Sequence, residues 1–136
     1  MKRKLNCILL VDDNDDCNYF HRRLFNELQC VERIEVATDG QEALDFLLSE
    51  KNDDQNHLPE IIFLDLNMPI MDGMEFLEEY QKFDQNQKDK MALFILTTSS
   101  NPNDKTLASK YIDIKGFQNK LLTRNGLKEL FEKHFP

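Results

Sequence analysis

Short runs of apolar residues alternate along the chain with longer segments in which apolar residues recur every three or four positions. Three of the runs are continuous and two are weaker. We predict that the five form strands, at residues 7–11, 34–37, 61–64 and 91–96 and around Gly116 and Phe117. Continuous apolar runs of this length are typical of strands buried on both faces, as in a parallel sheet covered by helices.

Helical spacing predicts a helix after each strand. In the first helix Phe20, Leu24, Phe25 and Leu28 share one face, and we expect its aromatic residues, Tyr19 included, to lie mostly in the core. The predicted helices cover residues 15–29, 41–51, 73–83, 103–111 and 123–135, and the polar stretches 51–57 and 84–90 are predicted to be loops. Strands that alternate with helices form β-α-β units, so we predict one α/β domain over residues 1–136, a doubly wound five-stranded parallel sheet with helices on both faces.

Charge and cysteine content narrow the class of protein. The chain carries a formal net charge of -8, and its basic start, Lys2 to Lys4, is short. Nucleic-acid binding depends on clusters of Lys and Arg, so we expect no nucleic-acid partner. The three cysteines have no CxxC spacing, no secretory signal is visible, and no segment approaches the ~20 apolar residues of a membrane helix. We predict a cytoplasmic protein with reduced thiols and no membrane partner, with a reactive cysteine as the alternative.

Polar residues follow most of the predicted strands. Asp12, Asp13 and Asn14 follow the first strand, Asp65 and Asn67 the third, the segment Thr97-Thr98-Ser99-Ser100 the fourth, and Lys120 the fifth. Ligands of open parallel sheets bind beyond the carboxyl ends of the strands. We therefore expect three carboxylates, a hydroxyl cluster and an ammonium group to converge on one edge of the sheet.

This set of groups fits phosphoryl transfer. Three carboxylates in one place repel one another unless a cation shares the site, and Mg²⁺ prefers a site with few carboxylates, several waters and a bound phosphate. Lys120 can bind one phosphate oxygen while a Thr hydroxyl donates to another. A carboxylate can itself be the nucleophile, which gives an aspartyl phosphate.

These residues resemble the receiver domains of two-component signalling over nearly the whole chain. The run Ile8-Leu9-Leu10-Val11-Asp12-Asp13-Asn14 is similar to the family's first strand and acidic pair, and Ala37-Thr38-Asp39-Gly40-Gln41-Glu42-Ala43-Leu44 to the turn that opens its second helix. The most specific match is the phosphorylation segment, Ile62-Phe63-Leu64-Asp65-Leu66-Asn67-Met68-Pro69-Ile70-Met71-Asp72-Gly73. Phe94-Ile95-Leu96-Thr97 resembles the fourth strand with its switch hydroxyl.

The resemblance implies a role for each matching residue. It makes Asp65 the phosphoacceptor, and it gives Mg²⁺ as direct ligands Asp13, Asp65 and the backbone carbonyl of Asn67, with Asp12 acting largely through water. Thr97 would bond the phosphoryl oxygen and Lys120 would pair with it. Phe117 occupies the position of the family's switch aromatic.

The resemblance also implies the fold type and the partners. We expect a flavodoxin-like sheet and a signalling module rather than an enzyme. A histidine kinase or a histidine phosphotransfer protein would donate the phosphoryl group, and the receiver would signal by contact with a downstream protein that the sequence does not identify. The two-state equilibrium would be biased by new contacts of Thr97 and Lys120, with Phe117 shifting in response.

Two positions depart from the family pattern or leave a choice. The family usually has a Pro, commonly after a cis peptide bond, where this chain has Leu121. A cis bond before Leu costs roughly 3 kcal/mol, so we predict a trans bond. Thr98 could take the switch role if the strand runs one residue longer; we prefer Thr97 because it directly follows the apolar run.

Simpler interpretations remain for several residues. The Asp-Asp-Asn run can also cap a helix, through Asn14 or Asp15. No pair among His21, His57 and His134 has metal-ligand spacing, so we assign them no chemistry. Two other functions stay open. A receiver-like interaction module that no longer switches is compatible with Leu121. An aspartyl-nucleophile phosphohydrolase would need an Asp at position 67, where this chain has Asn67.

Overall fold

The computed structural model describes residues 4–51, 58–66, 73–97, 110 and 113–135. Within these residues the strands are β1 Leu5–Val11, β2 Val31–Ala37, β3 Ile61–Asp65, β4 Ala92–Thr97 and β5 Ile114–Asn119. The helices are α1 Asp15–Leu28, α2 Gly40–Lys51, α3 Gly73–Tyr80, α4 Gln85–Lys88 and α5 Arg124–His134. The strands form a parallel sheet in the order β2-β1-β3-β4-β5, which confirms the predicted fold class.

The sheet separates two apolar cores, one on each face. Successive residues of a strand point to opposite faces, so Leu9 and Val11 of β1 enter one core and Ile8 and Leu10 the other. The first core is completed by α2 and α3, and the second by α1 and α5. None of the described helices is long and apolar enough to cross a membrane.

Helix α1 buries Leu24 and Phe25 as its apolar spacing predicts, but the rest of its buried face differs from the prediction. Its buried residues are Asn18, His21, Leu24 and Phe25, whereas Phe20 is 43% exposed and Tyr19 67% exposed. The prediction that both aromatic residues lie in the core was therefore wrong. Their place on the inner face is taken by two polar residues that hydrogen-bond to loop backbone.

The region between α3 and β4 also differs from the prediction. The polar stretch 84–90, predicted to be a loop, contains the short helix α4. Lys88 at its end donates to the Gln81 carbonyl at 3.1 Å and pairs with Asp113 at 3.3 Å, so α4 connects the end of α3 to the start of β5. The predicted helix at 103–111 and residues 52–57 of the other predicted loop lie outside the described residues, apart from residue 110.

Helices α1, α2 and α5 begin shortly after strands β1, β2 and β5 end at the carboxyl edge of the sheet. The Asn14 side chain accepts from the Cys17 N–H at 3.0 Å and caps α1. The Asp39 carboxylate accepts from the Glu42 N–H at 2.8 Å in the first turn of α2, and Thr123 caps α5 through the Gly126 N–H. These contacts satisfy N–H groups that a helix start leaves unpaired, and they fix the loops that carry the polar residues.

The start of α3 lies unusually close to the end of β3. The Gly73 N–H donates to the Leu66 carbonyl at 2.9 Å. A Cβ on Gly73 would lie 2.6 Å from Leu66 Cα and 2.8 Å from the Asp65 carbonyl oxygen, which leaves room only for glycine. The glycine thus allows the helix to approach the strand that ends in Asp65.

Gly73→Ala is expected to lower the free energy of unfolding by about 1–3 kcal/mol, because backbone atoms must move to admit the methyl group. Urea denaturation monitored by circular dichroism measures this. Gly116→Ala is the control, since a Cβ there would lie 3.5 Å from Phe94, an ordinary contact distance. Equal midpoints for wild type and Gly73→Ala would contradict the close approach.

Candidate functional site

The register of the strands brings the predicted site residues to one edge of the sheet. Val11 of β1 pairs with Leu64 of β3, so the next residues, Asp12 and Asp65, reach the carboxyl edge side by side. Thr97 of β4 pairs with Asn119 of β5, directly before Lys120. The predicted convergence of these positions on one edge is therefore present in the backbone.

Three carboxylates form a cluster at this edge. Each of Asp12, Asp13 and Asp65 offers an oxygen that lies within 4.8 Å of the oxygens of the other two. Asp12 and Asp65 are 2% and 5% exposed, whereas Asp13 is exposed. Two buried carboxylates beside a third are costly unless positive charge compensates them.

Lys120 supplies part of that positive charge. Its Nζ donates to Asp65 Oδ2 at 3.1 Å and lies 3.5 Å from Asp12 Oδ1. No peptide bond of the described residues is cis, so the Lys120–Leu121 bond is trans, as predicted from the cost of a cis bond before Leu. The trans connection still brings the ammonium group to Asp65.

The electrostatics of the site follow from burial and from these neighbours. Burial raises the pKa of Asp12, the negative charge of Asp65 raises it further, and the Asn14 N–H and Lys120 act in the opposite direction. Burial alone would lower the pKa of Lys120, but its hydrogen bond to Asp65 and the charges of both carboxylates outweigh this, and the pKa is raised. Lys120 is therefore a firmly held cation at neutral pH.

The residues present fit a divalent metal ion. Asp12 Oδ1 accepts from the Asn14 N–H at 3.0 Å, but Asp12 Oδ2 is buried with no hydrogen-bond partner among the described residues. Lys120 offsets one negative charge of the three carboxylates, which leaves an excess that a divalent cation would neutralise. Carboxylate oxygens are the ligands that hard cations such as Mg²⁺ and Mn²⁺ take.

Some predicted site residues fall outside the described part of the chain. Asn67 and Thr98 lie there, as does the side chain of Thr97, so the choice between the two threonines stays a prediction. Phe117 is partly buried and packs against the core of α2 and α3.

Two residues with contacts to the site were not predicted from the sequence. The Asn18 Nδ2 of α1 donates to the Asp12 carbonyl at 2.8 Å, and His21 Nε2 of the same helix accepts from the Leu122 N–H at 3.1 Å. Both side chains are buried. The sequence offered one indication of them: Asn18 and His21 are three positions apart, on the same helix face as Leu24 and Phe25, where polar residues are unexpected.

Comparison with known proteins agrees with this architecture. A two-component response regulator from Cytophaga hutchinsonii has a similar crystal structure, with a TM-score of 0.86, 30% sequence identity and coverage of 96% of this chain and 97% of that one. The response regulator Rcp1 of Synechocystis sp. is 30% identical over 92% of this chain and 81% of its own length. The structure of Rcp1 in its Mn²⁺-bound form aligns with a TM-score of 0.69 at 27% identity, over 94% of this chain and 88% of that one.

Other relatives differ in length and activity. The probable methanogenesis regulatory protein FilR2 of Methanothrix harundinacea is 34% identical over 71% of this chain, and the aligned part is 61% of its own length. A protein-glutamate methylesterase/protein-glutamine glutaminase of Aliivibrio fischeri is 35% identical over 55% of this chain, which is 18% of that protein. Receiver domains are mostly non-enzymatic signalling modules, but some relatives, such as this methylesterase, are enzymes.

The family model for the response regulator receiver domain matches residues 8–132, nearly the whole chain. Together with the parallel sheet, the acidic cluster and the lysine that contacts it, this match decides the family. The chain belongs to the response regulator receiver domains, the phosphoacceptor modules of two-component signalling.

Proposed function

We propose that Asp65 is the residue that accepts the phosphoryl group, in a reaction that depends on Mg²⁺. The observation that carries the proposal is the contact of Lys120 Nζ with Asp65 Oδ2 at 3.1 Å, within an acidic cluster that fits a divalent ion. Asp65 ends a central strand and is buried, whereas Asp13 is exposed. A fixed carboxylate with a cation beside it is suited to accept a phosphoryl group.

The transfer exchanges one bond to phosphorus for another. The Asp65 carboxylate attacks the phosphorus of a phosphohistidine, a P–O bond forms, and the P–N bond to the imidazole breaks. The imidazole retains the electron pair and takes up a proton. Lys120 then pairs with a phosphoryl oxygen, and the Thr97 hydroxyl is proposed to donate to another.

The proposed metal ligands are Asp12, Asp13 and Asp65 and the backbone carbonyl of Asn67, with Asp12 acting largely through water. When bound, the metal ion neutralises charge on the phosphoryl oxygens. We propose Mg²⁺ as the physiological ion, because sites with few carboxylates and a phosphate suit it; the Mn²⁺-bound form of the relative Rcp1 supports a divalent ion in general.

We also propose that a histidine kinase or a histidine phosphotransfer protein is the donor, and that this chain signals by protein contact without an enzymatic activity of its own. Two exposed apolar side chains adjoin residues described above in the sequence: Leu121 follows Lys120, and Phe20 precedes the buried His21 on α1. They give a partner apolar surface to contact. A cytoplasmic location is consistent with the free thiols of Cys7, Cys17 and Cys30.

The proposal is tested by locating the phosphoryl group. The protein is incubated with phosphoramidate, with Mg²⁺ or with EDTA, and intact mass is followed over time. Borohydride then reduces the acyl phosphate to an alcohol, so peptide mass spectrometry finds homoserine at the modified position. We expect a Mg²⁺-dependent adduct and homoserine at position 65. Homoserine at position 12 or 13 would contradict the assignment, and no adduct would favour an interaction module that no longer switches.

Removing one carboxylate is expected to separate fold stability from metal binding. Asp12→Asn removes a buried charge beside Asp65. Without metal, we therefore expect the free energy of unfolding to increase by about 1 kcal/mol and the melting temperature to rise accordingly. The rise in melting temperature on adding Mg²⁺ or Mn²⁺ is expected to shrink to a small fraction of the wild-type rise. Differential scanning fluorimetry with and without each ion measures both effects. The control is Asp16→Asn in the first turn of α1, outside the acidic cluster.

Equal metal-induced shifts in wild type and Asp12→Asn would contradict the involvement of Asp12 in the metal site. A lower melting temperature of Asp12→Asn without metal would show that the Lys120 contact outweighs the repulsion from Asp65.

A further inference from the structure

Lys120 can contact Asp65 only if the backbone at position 120 keeps its place. It stands between β5 and α5, followed by Leu121, which is 54% exposed, and Leu122, which is 3% exposed. Leu121 leaves the backbone dihedral angle φ of the turn free at a position where a proline would fix it. The turn therefore depends on contacts made by its neighbours.

His21 makes such a contact. Its Nε2 accepts a hydrogen bond from the Leu122 N–H at 3.1 Å, in a buried contact between residues 101 positions apart in the chain. The acceptor belongs to α1, on the same face of the sheet as α5. The hydrogen bond thus attaches the turn after Lys120 to a helix outside the turn itself.

The imidazole ring is held rigidly. It is 0% exposed and stacks on Phe25 with 6.4 Å between ring centroids, and Phe25 stacks on Phe63 of β3 at 5.9 Å. Burial lowers the pKa of His21 to about 4, so the ring is neutral at physiological pH and Nε2 is free to accept. A rigid neutral acceptor fixes the position of the N–H that it binds.

Packing alone does not account for a histidine here. With Nε2 accepting, the neutral ring carries its proton on Nδ1, and Nδ1 is buried with no hydrogen-bond partner among the described residues. A buried N–H without a partner destabilises a fold, so an apolar side chain would fill this space better. The acceptor function of Nε2 gives a reason for the imidazole.

The same face of α1 also contacts the backbone of Asp12, on the β1 side of the site. Asn18, one turn before His21, donates from Nδ2 to the Asp12 carbonyl at 2.8 Å. Helix α1 therefore binds the backbone after β1 through Asn18 and the backbone after β5 through His21. The two side chains positioned in this way, Asp12 and Lys120, lie 3.5 Å apart.

We propose that His21 is a positioning residue for phosphoryl transfer, which fixes the turn after Lys120 through the Leu122 N–H and so sets the reach of Lys120 to Asp65. This role rests on the proposed function of Asp65. His21 touches neither the carboxylates nor the phosphoryl group in any described contact. His21 acts only through the position of Lys120, in a turn where Leu121 follows the lysine.

The test compares variants that keep or remove the acceptor. His21→Phe keeps a ring against Phe25 and removes the acceptor, and His21→Gln places an amide oxygen at a similar distance along the side chain. Adduct formation from phosphoramidate at saturating Mg²⁺ is expected to slow roughly tenfold in His21→Phe and to stay within about threefold of wild type in His21→Gln, because misplacing a catalytic group slows transfer. The Mg²⁺ concentration for half-maximal rate is expected to be unchanged.

A double-mutant cycle separates positioning from a general loss of structure. Adding His21→Phe to Lys120→Met is expected to slow adduct formation no further, because His21 acts through Lys120. Leu24→Ala, on the same helix face, removes a buried apolar side chain but no hydrogen bond to the turn, so it is expected to lower stability and leave the rate near that of wild type. If His21→Phe does not fold, His21→Leu replaces it in the same cycle.

Two results would overturn the positioning role: a wild-type rate in His21→Phe, or an equal slowing by His21→Phe with and without Lys120. In both cases wild type still forms the adduct, so the function of Asp65 stands. A wild-type protein that takes up no phosphoryl group would instead overturn the proposed function and the positioning role with it.

Discussion

Asp65→Asn is expected to reduce the phosphoryl adduct by on the order of 100-fold or more, because a carboxamide is a far weaker nucleophile than a carboxylate. Asn keeps the size of the side chain and an oxygen that can still accept from Lys120. The fold is therefore expected to remain, so the loss of adduct reports on the site and not on unfolding. Intact mass after incubation with phosphoramidate and Mg²⁺ measures it.

A matched control exists at the same edge of the sheet. Asp39 follows β2, is 7% exposed, and accepts from the Glu42 N–H at the start of α2. Asp39→Asn also removes a buried carboxylate but leaves the acidic cluster intact, so we expect the wild-type amount of adduct. Equal adduct in wild type and Asp65→Asn would show that another residue accepts the group.

The accuracy of the strand predictions depended on where each strand lies in the sheet. The central strands β1, β3 and β4 are covered on both faces, so their apolar runs are continuous and their positions were predicted to within two residues. Strands β2 and β5 lie at the two edges. There β2 includes Glu32 and Arg33, and β5 includes Lys115 and Gln118, so solvent-facing polar residues interrupt the pattern. The start of β2 was consequently missed.

The site was predictable where residue type and strand order suffice. Asp12, Asp13, Asp65 and Lys120 each follow a strand, and parallel strands bring such positions together. Asn18 and His21 have no comparable signal, because the bonds that explain them go to backbone groups whose positions depend on the whole fold. A polar residue on a helix face reads as a solvated one until its distant partner is known.

The neutral, buried state of His21 predicts a specific dependence of stability on pH. Burial lowers its pKa from 6.5 to about 4; a hydrogen bond to the Lys120 backbone acts in the opposite direction, and the positive charge of Lys120 lowers the pKa further. In the unfolded chain this histidine takes up a proton below pH 6.5, while in the folded protein it stays neutral down to about pH 4. The unfolded state therefore gains stability as the pH falls through this window, and the fold loses about 3 kcal/mol by pH 4.

His21→Gln isolates this effect, since glutamine does not titrate and can still accept from the Leu122 N–H. Carboxylates also change charge in this range, and Asp12 with its raised pKa acts in the opposite direction, but these groups are common to both proteins. Urea denaturation at pH 7.5, 6, 5 and 4 gives the difference in unfolding free energy between wild type and variant. We expect wild type to lose about 2 kcal/mol relative to His21→Gln between pH 7.5 and pH 5, and about 3 kcal/mol by pH 4. A difference that stays constant with pH would mean that His21 is protonated as readily in the folded protein as in the unfolded chain, and that its Nε2 is not committed to the turn after Lys120.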